Sequence, residues 1–168
     1  LVIIVAGIYF VSKRVTSQET GGENLEYVTH TSKEFSFEYP KGWFVEDQSS
    51  DPVIPYWRIS SFDPDVLSQT PNPEGDYFKI EIYKMGNSSH FSLAAWIDNF
   101  IEESLSIPII QKKEGVSISG TEGIRQVEGV EGITHSVVYV IRGEKVYVIS
   151  ATPFLRLGDE RIFEHFLK

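Results

Sequence analysis

Phe35, Phe37 and Tyr39 alternate with Ser36 and Glu38, the spacing of a strand with one face buried. Pro40-Lys41-Gly42 supplies a turn, and Trp43-Phe44-Val45 opens a second extended piece. Tyr56 to Phe62 repeats the alternation with Trp57, Ile59 and Ser61 on one face, and Tyr77 to Met85 does so with Phe78, Ile80 and Ile82. Between these two, residues 63–75 hold Pro64, Pro71, Pro73 and Gly75 and are expected to form a loop.

The period then changes. Leu93, Trp96, Ile97, Phe100, Ile101 and Leu105 recur at helical spacing, with Asp98, Glu102 and Glu103 off the stripe. Ser92 is the expected N-cap, and Pro108 marks the far side. Strand signals resume at Ile110 to Ile118 and Ile124 to Glu128, with Gly120 and Gly123 between them. Gly129 and Gly132 bound the next expected turn. Ile133 to Arg142 and Val146 to Thr152 form a hairpin joined by Gly143-Glu144-Lys145. Ile162, Phe163 and Phe166 suit a short closing helix from about Asp159. Strands, helix, strands and helix predict an α+β fold, a mainly antiparallel sheet with helices packed on it. No repeat of fixed period occurs.

The ends of the pattern differ from its middle. Leu1 to Val11 carry no charge and are followed by Ser12-Lys13-Arg14. Such a helix reaches about 16 Å, half of a roughly 30 Å hydrocarbon layer. Residues 1–11 are therefore read as the second half of a membrane helix, Tyr9 and Phe10 near the interface and Lys13 and Arg14 at the headgroups. A buried strand and a cleaved signal peptide are the alternatives. The polar tract after the run argues against the first, and the want of a small-x-small site argues against the second. Two basic residues after the span pull that side toward the cytoplasm, but an upstream flank can outweigh them. The expected topology is a single-pass anchor with the domain outside the cytoplasm. Residues 12–30 are rich in Thr, Ser, Gln, Glu and Gly and are expected to be a flexible tether, leaving 31–168 as one domain.

Composition narrows the chemistry. Of 168 residues 41% are hydrophobic and 13% aromatic, enough for a core. Fifteen basic residues against 24 acidic give a net charge of −9, which argues against a nucleic-acid partner. The chain has no cysteine, so disulfides, thiolate metal sites and a Cys nucleophile are excluded. From Glu46 to Asp76 the charges are Glu46, Asp47, Asp51, Asp63, Asp65, Glu74 and Asp76 against Arg58 alone. Weak calcium binding needs six to eight converging oxygens, and the spacing is no EF-hand, so a solvated acidic loop is the expectation.

His30, His90, His135 and His165 show no metal-ligand spacing and are expected to be packing or solvated residues. Ser88-Ser89-His90 are adjacent, which does not set a base against a nucleophile. No Gly-x-Ser-x-Gly occurs, and Gly120-Thr121-Glu122-Gly123 lacks the lysine of a phosphate loop. Asn87-Ser88-Ser89 fits the glycosylation acceptor pattern. Trp43 and Trp57 are expected in the core, with Tyr56 on the opposite face as a candidate partner contact. No catalytic, cofactor or metal residue is nominated, and no cofactor is expected.

Phe35-Ser36-Phe37-Glu38-Tyr39-Pro40-Lys41-Gly42-Trp43 resembles the strand-turn opening of PsbP-like domains, F-x-[IF]-x-Y-P-x-G-W. Ser136 to Ala151 is similar to that family's late strand pair, and Phe163-Glu164-His165-Phe166-Leu167 to its closing helix. The resemblance spans residues 31–168. It implies an α/β/α sandwich around a central antiparallel sheet and a non-catalytic role. Bacterial relatives are often envelope proteins tethered by a lipid or a helix. No photosystem-contact motif is matched, so no photosystem function is carried over. The expected function is thus a membrane-anchored, extracytoplasmic, non-catalytic binding or assembly module with a protein partner in the envelope. A carrier of an apolar small molecule, which would need a cavity of about 300 Å³ or more, and an envelope hydrolase are the alternatives.

Overall fold

The computed structural model describes residues 25–67, 77–103, 112–130, 133–152 and 157–168. Residues 1–11 and most of the expected tether lie outside these. Among the described residues no helix is long and apolar enough to cross a membrane.

Among the described residues nine strands and three helices follow one another: β1 Tyr27–Thr31, β2 Ser36–Pro40, β3 Phe44–Gln48, β4 Tyr56–Ser60, α1 Pro64–Leu67, β5 Lys79–Gly86, α2 Leu93–Glu103, β6 Lys112–Ile118, β7 Thr121–Val130, β8 Ile133–Arg142, β9 Lys145–Thr152 and α3 Leu157–Phe166. Seven strands form one sheet in the order β3-β4-β5-β9-β8-β7-β6, and β1 and β2 form a separate two-stranded sheet. Every pairing among these strands is antiparallel. The α+β class with an antiparallel sheet is what the alternating pattern predicted.

The side-chain period of two divides each central strand between two cores. Val138 and Val140 of β8 and Ile149 and Ala151 of β9 face Phe163 and Phe166 of α3 and Phe37 of β2. Val137 and Tyr139, with Val146 and Val148, face Trp96 and Ile97 of α2. The sheet is therefore a middle layer with α2 on one face and α3 plus the β1–β2 hairpin on the other. Ser92 caps α2, its Oγ accepting from Ala95 N at 3.3 Å and its carbonyl from Trp96 N at 2.8 Å. The Trp96 indole N–H donates to Gly86 O at 3.0 Å and ties the helix to the end of β5. In α3, Asp159 and Glu160 sit in the first turn and His165 in the last, as the helix dipole favours.

Five boundaries depart from the sequence reading. Residues 27–30, expected in the tether, belong to β1, paired from Tyr27↔Pro40 to Thr31↔Ser36. Rings hold them there: Tyr27 stacks on His165 at 3.7 Å and His30 on Phe37 at 4.9 Å. The folded unit reaches further still, since Lys41 N donates to Glu26 O at 2.7 Å. The loop expected at 63–75 begins with the helical turn α1, where Asp63 Oδ1 accepts from Asp65 N at 3.0 Å and Pro64 takes the first helical position. Gly123 and Gly129 do not flank β7 but lie inside it. A Cβ on Gly123 would sit 2.7 Å from Tyr139 O, so the missing side chain lets β7 approach β8. Lys145 is already in β9, leaving a two-residue turn, Gly143-Glu144, with Gly143 at φ 61°, the type II′ arrangement. Finally, α3 begins at Leu157, ahead of Asp159. Leu105, expected on the α2 stripe, and Pro108, expected beyond its end, lie outside the described residues.

Candidate binding site

The acidic segment is drawn into local structure. Glu46 pairs with Arg58 at 3.1 Å. Asp47 Oδ1 accepts from Ser49 N at 2.9 Å, and Asp51 Oδ1 accepts from Val53 N at 2.8 Å and Ile54 N at 2.9 Å. These amides hold the Asp51 carboxyl below its ordinary range. The Asp51 turn holds up Val53, 82% exposed, and Ile54 at the end of the β3–β4 hairpin. Glu74 and Asp76 fall outside the described residues. Among the described residues no group of three His, Asp or Glu side chains could hold a metal ion.

Asn87, the glycosylation match, is 5% exposed. Its Nδ2 donates to Phe91 O and its Oδ1 accepts from Phe91 N, both at 3.0 Å, so the amide closes the β5–α2 loop. Ser88 and Ser89 line a mixed polar hollow of about 230 Å³ beside it. The His90 ring lies 3.9 Å from Glu144, at the edge of ion-pair range.

Antiparallel register assembles a polar row on the α2 face that sequence spacing does not reveal. Glu128 opposes His135 across β7–β8, and Thr152 opposes Lys79 across β5–β9. His135 Nδ1 lies 2.7 Å from Thr152 Oγ1. Glu128 accepts from Tyr139 OH at 2.6 Å and from the Gln126 amide. Burial lowers the His135 pKa, so its ring is neutral at pH 7. Next to this row Glu81, almost fully buried, takes Arg58 at 2.8 Å and Lys79 at 2.9 Å. Burial alone would raise its pKa, but Lys79 and Arg58 outweigh that and lower it. Burial and the Glu81 charge push Tyr83 up to about 12. A His, a hydroxyl and an acid thus share a row, yet the Glu128 carboxylate is engaged by Tyr139 and Gln126, and Thr152 is only 9% exposed. His30 packs on Phe37, and His165 stacks on Tyr27 with Nε2 2.7 Å from Glu38.

On the other face a pocket opens where the seam between β2 and α3 ends. Ile82, Val140 and Ile149, from three neighbouring strands, form its floor. Phe35 and Phe37 wall one side, and Phe166 and Leu167 the other. Ile118, Ser119 and Thr121 at the β6–β7 turn close the far end, and Ser36 and Arg142 stand at the rim. Its volume is about 100 Å³. Glu34 near the rim is already bound: it pairs with Lys84 at 2.6 Å and accepts from Tyr147 OH at 2.7 Å. Those two bonds lower the Glu34 pKa, while burial and Glu34 push Tyr147 up to about 12. Trp43 packs partly buried against the same core and Trp57 is fully buried within it, whereas Tyr56 lies on the α2 face beside Tyr83. The pocket offers apolar contact and one face of positive charge. It is a third of the size an apolar-ligand carrier would need, and it lies on the α3 side rather than under α2.

No protein-family model matches the sequence, and no curated protein matches it. Among solved structures the chain is similar to PA94 from Pseudomonas aeruginosa, a protein of unknown function, at 16% identity over 83% of this chain and 89% of that chain, with a TM-score of 0.43.

Proposed function

We propose that the chain is a non-catalytic binding module that holds a protein partner in the cell envelope, tethered outside the cytoplasm by its N-terminal segment. One observation carries the reading: an open apolar pocket of about 100 Å³ between the sheet, α3 and the β1–β2 hairpin. An engineered cavity of about 150 Å³ takes one benzene, so this space suits a single aliphatic side chain, the anchor of a protein–protein contact. The anchor rests on the uncharged run Leu1 to Val11 and the Lys13-Arg14 pair. The layer order, α2, sheet, then α3 with the β1–β2 hairpin, is consistent with a PsbP-like α/β/α sandwich.

The test uses the full-length protein in its own membranes. A photo-crosslinking residue at Ser119, on the pocket rim, should give a discrete heavier adduct, and the same residue at Ser50 should not. Thr121→Trp, which projects from the pocket face of β7 into the far end of the hollow, should abolish the Ser119 adduct without changing the amount of folded protein. Equal crosslinking from both positions, or an adduct indifferent to Thr121→Trp, overturns the pocket as the contact. Release of the chain by an alkaline carbonate wash overturns the anchor, and resistance of the domain to protease added outside intact cells overturns the topology.

A further inference from the structure

The pocket has an electrostatic rim that its apolar lining does not require. Arg142 and Lys145 stand directly opposite each other across the β8–β9 hairpin, so both side chains project from the pocket face. Both are exposed. Like charges facing each other across a strand pair are unfavourable, and neither has an ion-pair partner among the described residues. Lys145 is close enough to Glu34 to help lower its pKa, but Lys84 and Tyr147 already engage that carboxylate. A chain of net charge −9 thus keeps an unneutralised cationic pair beside its apolar pocket.

The geometry points to an acidic partner segment: an extended stretch of another protein that seats one branched aliphatic side chain in the pocket and sets the carboxylate of an adjacent residue against Arg142 and Lys145. This deepens the binding reading above and rests on it. The planar guanidinium of Arg142 suits a carboxylate through two parallel N–H bonds. The volume selects a side chain over a lipid: about 100 Å³ holds one Leu or Ile, whereas a long acyl chain needs the roughly 300 Å³ or more of a ligand cavity. Occupation would neutralise the facing cations and remove exposed apolar surface in one event.

The experiment follows the methyl signals of Ile82, Val140 and Ile149 in the full chain held in phosphatidylcholine nanodiscs. The probes are the capped peptides acetyl-Ala-Leu-Asp-Ala-amide, its Leu-Asn counterpart and its Ala-Asp counterpart. The Leu-Asp peptide should shift all three signals, and the other two should bind about tenfold more weakly. Arg142→Gln should cut Leu-Asp binding about tenfold, Arg142→Lys should keep much of it, and raised salt should weaken it. Equal binding of Leu-Asp and Leu-Asn overturns the acidic partner while leaving the apolar anchor standing. Failure of every peptide, with the Ser119 adduct still formed, overturns the side-chain-plus-carboxylate chemistry and not the binding module. Tighter response to hexanoate, or to nanodiscs of phosphatidylglycerol, assigns the pocket to a free acid or a lipid and overturns the protein partner.

Discussion

Glu81 is a carboxylate kept charged inside a sheet by two cations from its own face. Removing its charge leaves Arg58 and Lys79 facing a neutral amide in a poorly hydrated place. Glu81→Gln should therefore cost about 2 kcal/mol in urea unfolding. Glu46→Gln removes the more exposed partner of Arg58 and should cost less than about 1 kcal/mol. Equal losses would show that burial does not set the strength of these pairs. Gly123 makes a second contrast. Gly123→Ala drives a methyl into Tyr139 O and the Val140 side chain and should lower stability by about 1–3 kcal/mol. Gly115→Ala, one strand away with nothing within 4 Å of the added Cβ, should be neutral or slightly stabilising.

At the scale of elements, two hairpins use mirror-image turns. The β8–β9 turn has its left-handed residue at Gly143, whereas β6–β7 turns through Ser119 at φ 48° and Gly120 at φ 77°. A serine in the left-handed region is strained, and asparagine tolerates it better. Ser119→Asn should raise the thermal midpoint, by up to about 1 kcal/mol in stability, even though it gives up the 3.4 Å contact from Ser119 Oγ to Lys168 O. A fall would mean that contact matters more than the backbone. The elements most legible in the sequence were those whose own residues decide them. The β8 and β9 alternation and the α2 stripe with its Ser92 cap could be read directly, because each strand or helix face is written in consecutive positions. Tyr27–Thr31 could not, since it is ordered by His165, far along the chain, and by Phe37 across a hairpin whose first strand carries no clear alternation. Gly123 read as punctuation because close approach of a neighbouring strand leaves no local mark.

For the whole molecule, proton uptake ties the polar face to stability. His135 has a folded pKa below its ordinary 6.5, so the unfolded chain binds the extra proton first and stability falls as pH drops below about 6.5. Glu81 and Glu34, lowered from 4.5, add a second loss as pH falls below about 4.5. Tyr83 and Tyr147, pushed up to about 12, act at the other end: their contribution is whole below pH 10 and is lost between 10 and 12. Unfolding free energy measured against pH should show both acid steps, and His135→Asn should flatten the one nearer neutrality. An unchanged profile would mean that His135 is not the group titrating there. The candidate site itself was least legible, because it belongs to no segment. Ile82, Val140, Ile149, Phe35, Ile118 and Leu167 converge only after seven strands and α3 are stacked, and the Arg142–Lys145 pair gains its meaning from the hollow beside it.

β1 is the first element of the described fold and pairs with β2 in the two-stranded sheet. A pull applied at Leu25 loads the Lys41 N–Glu26 O bond first, then Tyr27↔Pro40 and each following rung in turn, rather than shearing the ladder as a block. Such a pull would therefore peel this two-stranded ribbon first. Phe35 and Phe37 hang from that ribbon and its connecting bend, so tension would loosen one wall of the pocket.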